Sequence, residues 1–260
     1  MKKLLLFVIA SLIYFISNAQ VLNTERLRIE AQENTWEGNL DASFGLSQSK
    51  TGQSLSLNLD GQLSYTRQRS KWMFLTGYNR KTFSKTNVLG KDFSIFNHFQ
   101  YTHLRYNYDW TKRWTIEAFL QEQFDQVHEI DIRGLGGTGL RLELLNTDST
   151  NLYLGALYMY EYEKNSPADT IVYNNDHRMS TYISAGFKVK DHLTVNSIIY
   201  YQPNLLAFND FRILLETKIS VRLTQKLLLN TSFNLIYDSE PPSTVPTIRY
   251  NLSNGFSFVF

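Results

Sequence analysis

No cysteine occurs among the 260 residues, which excludes a disulfide framework and a thiolate metal site. A charge surplus is missing too. Residues 1–19 carry two of the 26 basic residues and none of the 24 acidic ones, so the rest of the chain is neutral. A nucleic-acid binder needs a basic excess to neutralise phosphates, so that class is set aside. Beyond the N-terminus no apolar run is long enough for a transmembrane helix. Proline is scarce: all five (Pro167, Pro203, Pro241, Pro242 and Pro246) lie in the second half of the chain.

What is present begins with an address. Met1-Lys2-Lys3 precedes the apolar run LLLFVIASLIYFI, and Ser17 and Ala19 are small residues at the positions a signal peptidase needs. This predicts a secretory signal peptide over 1–19, cleaved after Ala19. Residues 20–35 read as a polar periplasmic lead-in, and 36–260 as the folded body.

That body alternates. In SLSLNLDGQLSY (54–65), Leu55, Leu57, Leu59, Leu63 and Tyr65 share one face, while Ser54, Ser56, Asn58, Asp60, Gln62 and Ser64 share the other. Successive strand side chains point to opposite faces, so each such segment is a strand with one greasy and one wet side. Twelve are predicted, at 36–46, 53–66, 72–82, 93–108, 113–125, 131–145, 151–163, 178–189, 193–202, 211–223, 227–238 and 247–260; the third and fourth alternate poorly. The same pattern serves a soluble barrel with its apolar face inward or an outer-membrane barrel with that face outward.

Connections discriminate between them. Those after even-numbered segments are short and polar (RQRSK, DWTK, NTDST, KDH, TQK), whereas those after odd-numbered ones are mostly longer and hold the prolines. Short turns at one rim and long loops at the other are the periplasmic and outer rims of a bacterial barrel. Trp36, Trp72, Trp110 and Trp114 all fall near the short-turn rim, as a periplasmic aromatic girdle would. The last residues, NLSNGFSFVF, place Phe256, Phe258 and Phe260 on one face after Gly255. Gly255, Phe258 and Phe260 resemble the C-terminal signal read by the barrel-assembly machinery. The fold class is therefore all-β: a transmembrane antiparallel barrel of about twelve strands in a Gram-negative outer membrane, with the lipid bilayer and lipopolysaccharide as its surroundings.

The stretch LRYNYDWTKRWTIEAFLQEQFDQVHEIDIRGLGGTGLRLE (104–143), with WEGNLDASFGLSQSKTGQSLSLNLDGQLSY near the start and YDSEPPSTVPTIRYNLSNGFSFVF at the end, resembles the salt-induced outer-membrane protein family. The resemblance spans roughly 36–260. It implies an outer-membrane β-barrel, a link to salt or osmotic stress, and no catalytic residues.

Chemistry is sparse. His98 and His103 are five residues apart and so belong to opposite faces of a strand, unlike the His–Ser–Asn arrangement of an outer-membrane phospholipase. Glu122, Asp125, Glu129 and Asp131 cluster near the outer end of the fifth and sixth segments and read as a solvated rim. No metal site and no cofactor is expected. Parity turns Glu117, Asp125, Asp131, Arg133, Arg141, Glu143, Glu161 and Glu163 inward, joined by Arg105, Arg212, Glu216, Lys218 and Arg222. Mixed charges of this kind either line an aqueous path and set its selectivity or pair across strands and fill the interior. Twelve strands are few for a wide channel, which favours filling.

GLGGTG (134–139) has the spacing of a dinucleotide fingerprint, but LRLELL after it alternates and no helix opens there. Parity points Gly137 and Gly139 inward beside Arg133 and Arg141, and Gly134 and Gly136 to lipid, as a thin place in the barrel wall. The functional expectation is a non-enzymatic envelope barrel, either a narrow pore or a structural barrel. A lipid-modifying enzyme and a surface-binding protein using loops 164–178 and 238–247 are the alternatives.

Overall fold

The computed structural model describes residues 34–49, 52–86, 92–126, 130–166, 171–190, 192–241 and 246–260. The expected signal peptide and nearly all of the lead-in lie outside these residues, as does Glu129. Twelve strands close on themselves, each antiparallel to its neighbours in sequence, with β1 meeting β12. They are β1 (Trp36–Ser49), β2 (Gly52–Arg67), β3 (Ser70–Thr86), β4 (Asp92–Asp109), β5 (Trp114–Asp125), β6 (Ile130–Asn146), β7 (Thr150–Asn165), β8 (Val172–Val189), β9 (Leu193–Pro203), β10 (Phe211–Arg222), β11 (Leu227–Asp238) and β12 (Ile248–Val259).

The barrel is inside-out relative to a soluble one. Leu40, Phe44, Leu57, Phe74, Leu104, Leu120, Leu154, Ile183, Ile199, Ile219 and Leu252 are all exposed, whereas their strand neighbours Asn39, Ser64, Arg105, Glu117, Gln121, Ser184, Asn196 and Ser220 are buried. An exposed apolar band this continuous would aggregate in water and is stable only against hydrocarbon. Closure gives each strand a hydrogen-bonded neighbour on both sides over at least part of its length, as a sheet in lipid requires.

Eight strands run longer than the sequence predicts, most of all β3 and β8. β3, β4, β6, β7 and β8 have 16 to 18 residues, although about ten suffice to cross a bilayer. Most of the extra length lies on the long-loop side. The expected loop 164–178 is mostly strand: β7 continues to Asn165 and β8 begins at Val172. Only residues 166–171 connect them. The loop 239–247 remains. On the other rim β2 and β3 are joined by Gln68-Arg69 alone, and Gln68 takes a positive φ of 51°, as a two-residue hairpin turn requires.

The four tryptophans sit on the short-turn rim, all exposed. Trp36 packs on Tyr65 at 4.7 Å between ring centroids, and Trp72 on Tyr106 at 4.5 Å. The register places Tyr65 opposite both Trp36 and Trp72, so an aromatic row runs across the first four strands. The C-terminus completes the same rim: Phe260 exchanges both backbone hydrogen bonds with Gly38. A Cβ on Gly38 would fall 2.3 Å from the Phe260 ring. Only a glycine there lets the last side chain lie across the first strand.

Candidate functional site

The barrel interior divides into a packed sector and a hollow one. The packed sector is built by β4 through β11. Glu117 on β5 is fully buried and takes a hydrogen bond from Arg105 on β4 at 2.5 Å. Arg141 on β6 approaches it at 3.6 Å, and the Tyr182 hydroxyl on β8 donates to it at 2.7 Å. Arg141 also lies 4.4 Å over the Tyr153 ring. Nearer the long-loop rim Glu161 accepts from Arg133 and, at 3.0 Å, from Arg212. Arg133 is 3.3 Å from Glu163, and Arg212 is 3.2 Å from Asp238. Arg178 adds a 2.7 Å bond to Asp210 and a 3.1 Å bond to Asp176.

Between these ionic groups lies an apolar cluster of Phe119, Leu135, Leu157, Met159, Tyr182, Ile198, Tyr200, Leu214 and Ile236, all buried. Contacts between strands that are not neighbours are the decisive feature. Tyr182 on β8 reaches Glu117 on β5, and Arg212 on β10 reaches Glu161 on β7. Such chords across the interior are impossible where a water column separates the walls.

Inward glycines make room for this filling. Gly155 pairs with Tyr182, Gly137 with Phe119 and Gly77 with Tyr101. A Cβ would fall 2.1, 2.5 and 2.3 Å from those rings respectively. Each aromatic lies flat over a bare stretch of the neighbouring strand, which pins strand register as well as filling space. The GLGGTG segment is therefore not a thin wall beside empty lumen. Phe119 and Leu157 occupy the space its inward glycines leave, while Gly136 touches only Leu120 and Gly134 has nothing within 4 Å.

The hollow sector faces β1–β3 and β10–β12. It holds a cavity of about 480 Å³ lined by Asn58, Asn79, Asn234, Asn251, Ser56 and Ser253 among others. Lys218 and Asp41 form a 2.8 Å ion pair across its floor, again between non-neighbouring strands. Tyr101 donates to Asp60 at 2.9 Å across β3. Below them Met73, Leu75 and Tyr101 form a second buried apolar cluster.

Of the charges read as inward, Arg105, Glu117, Arg133, Arg141, Glu161, Glu163 and Arg212 belong to the packed sector. Asp125 is buried and Glu216 and Lys218 line the cavity. Glu143 and Arg222 sit at the short-turn mouth, where Glu143 accepts from Asn146 and Arg222 donates to the Gln225 carbonyl. Asp131 is a correction. The β6–β7 register skips it, pairing Ile130 with Asn165 and Ile132 with Lys164. This bulge turns Ile130 inward and leaves Asp131 on the rim, held by Lys164 at 3.2 Å and by Ser166. The acidic rim cluster does not assemble, since Glu122 faces out and Asp125 in. Among the described residues no group of three metal-ligating side chains is close enough to hold an ion.

His98 and His103 fall on opposite faces: His98 stacks on Phe124 outside, and His103 is buried against Phe119 and Gln121. Sequence reasoning missed Arg178, placed where the expected loop meets the eighth segment, and Tyr182, which strand parity alone would have turned inward.

A family model described as a protein of unknown function, DUF481, matches residues 42–258. The chain belongs to the DUF481 family. No curated protein matches it. Among solved structures this DUF481 barrel is similar to the NanC porin, at 9% identity and a TM-score of 0.51 over 86% of this chain and 99% of that one. It is also similar to the COG4313 outer membrane channel from Pseudomonas putida F1, at 10% identity and a TM-score of 0.49, over 94% and 100% of the two chains. At such identities the likeness concerns the fold, that of an outer-membrane β-barrel.

Proposed function

We propose that this barrel is a non-enzymatic, porin-like conduit of the Gram-negative outer membrane, with its working lumen confined to the hollow sector. The observation that carries this reading is the 480 Å³ cavity lined by amides and hydroxyls, set against a sector where charges pair and rings pack. Asn and Gln side chains both donate and accept hydrogen bonds, so such a wall suits small polar solutes without demanding one charge. The Asp41–Lys218 pair and the Met73–Leu75–Tyr101 cluster form the constriction beneath it.

The chain reaches this location by the expected route: export by a signal peptide cleaved near Ala19, then insertion by the assembly machinery reading Gly255, Phe258 and Phe260. Trp36, Trp72, Trp110 and Trp114 hold the periplasmic level, and lipopolysaccharide surrounds the opposite rim. The family resemblance adds a salt-stress role, which transcript levels after a salt upshift would test. For the conduit, swelling of proteoliposomes in small uncharged solutes is the direct assay. Asn58→Phe should slow swelling several-fold; unchanged swelling would place the path elsewhere.

A further inference from the structure

We propose that the hollow sector opens sideways through the β1–β12 seam, admitting an amphiphile with an uncharged, polyhydroxylated head and leaving its apolar tail in the bilayer. The inference rests on the conduit reading only in sharing its cavity.

The seam is incompletely paired. Its register runs from Asn39↔Val259 to Ala42↔Phe256 and stops. Ser43 and Gly255 still touch, since a Cβ on Gly255 would fall 2.7 Å from that of Ser43. Above them β1 continues to Ser49 paired only with β2, and β12 from Ile248 is paired only with β11. Elsewhere among the described residues long one-sided stretches occur where the neighbour ends, as β4 runs past β5 and β8 past β9; at this seam both strands continue. Phe44 and Tyr250, which flank it, are 72% and 71% exposed, more than the other large apolar strand side chains among the described residues.

The cavity abuts this gap. Its lining includes inward-facing Ser43, Asn251 and Ser253, but also Phe44, Leu252 and Asn254, which face outward by alternation. Residues of both lips line it, so the cavity reaches the wall where β1 and β12 part. One molecule in it would meet amides at one end and lipid-facing side chains at the other.

Depth identifies the occupant. At about 3.3 Å per residue and a tilt near 40°, Phe44 lies roughly 20 Å above the Trp36 girdle in a band about 25 Å tall. The gap therefore opens beside the headgroups of the leaflet on the long-loop side. Unpaired backbone at this depth is tolerated where it lines a polar cavity. The lining holds four acids (Asp41, Asp60, Asp125, Glu216) and two lysines (Lys81, Lys218), a balance that disfavours an anionic head. The amides and hydroxyls fit sugar hydroxyls, which likewise both donate and accept.

The natural absence of cysteine makes the test direct. Phe44→Cys/Asn254→Cys is purified in dodecyl dimethylamine oxide, which carries no sugar, and the two thiols are joined by a short bifunctional methanethiosulfonate. Native mass spectrometry then counts adducts of dodecyl maltoside and of maltose, before and after reduction of the bridge. A bridged pair across a continuous seam, Leu215→Cys/Leu235→Cys, controls for rigidity.

The expected result is one dodecyl maltoside per unbridged barrel, at least tenfold weaker binding when β1 and β12 are joined, recovery on reduction, and no effect of the control bridge. Maltose should bind at least tenfold more weakly than its alkyl form. Equal binding of maltose, or binding indifferent to the bridge, would overturn sideways entry while leaving the conduit standing. Binding of neither compound would overturn the sideways route, and proteoliposome swelling decides the conduit separately.

Discussion

Replacing Glu117 by Gln tests whether the packed sector is dry. The carboxylate is fully buried and faces two guanidinium groups, Arg105 at 2.5 Å and Arg141 at 3.6 Å. Gln keeps the shape and can still accept from Tyr182, but it removes the carboxylate charge that faces Arg105 and Arg141. Breaking a buried pair from one side costs about 3–5 kcal/mol, because the partner charge stays behind. With a urea dependence of about 1–3 kcal/mol per molar, the unfolding midpoint should fall by at least about 1 M. Urea titration of the detergent-refolded barrel, read by tryptophan fluorescence and by heat-modifiable migration, measures this. Adding Arg105→Gln should recover most of the loss, since a neutral hydrogen-bonded pair then replaces the ionic one. A single mutant within about 0.3 M of wild type would show that water solvates both arginines and that the packed sector is not dry.

Three further outcomes follow from the same geometry. Gly155→Val should destabilise by about 1–3 kcal/mol in that titration, since its Cβ lies 2.1 Å from the Tyr182 ring and pulls the Tyr182 hydroxyl off Glu117. Gly134→Ala, with nothing within 4 Å, should stay within about 0.5 kcal/mol of wild type. Deleting Phe260, which carries both backbone bonds to Gly38, should lower the folded fraction in refolding assays scored by gel mobility.

The outer surface of this barrel was legible because lipid enforces an apolar residue at alternate positions. The interior carries no such rule. Met73, Leu75 and Tyr101 point inward and are apolar, so β3 and β4 lose their visible alternation although both are long strands. Outside the bilayer the rule lapses on the other face too: Asn174 and Asn175 extend β8 in polar surroundings, and the stretch reads as loop. Arg178 was hidden for that reason. The ionic residues Glu117, Arg141 and Glu161 were found by parity. Their partners across the interior were not, because chords such as Tyr182–Glu117 depend on barrel curvature. Asp131 was misplaced by a one-residue bulge, which resets parity and leaves no signature in composition.

On the proposed function, solutes pass narrowly through one sector of the lumen while the other is sealed. Planar-bilayer recording tests it most directly, comparing wild type with Met73→Ala/Tyr101→Ala, which removes the constriction below the cavity. Wild type should give small steps, clearly below those of a wide porin in the same salt, and the double variant several-fold larger ones. Wide-porin steps in the wild type, or no conductance at any voltage in either protein, would contradict it.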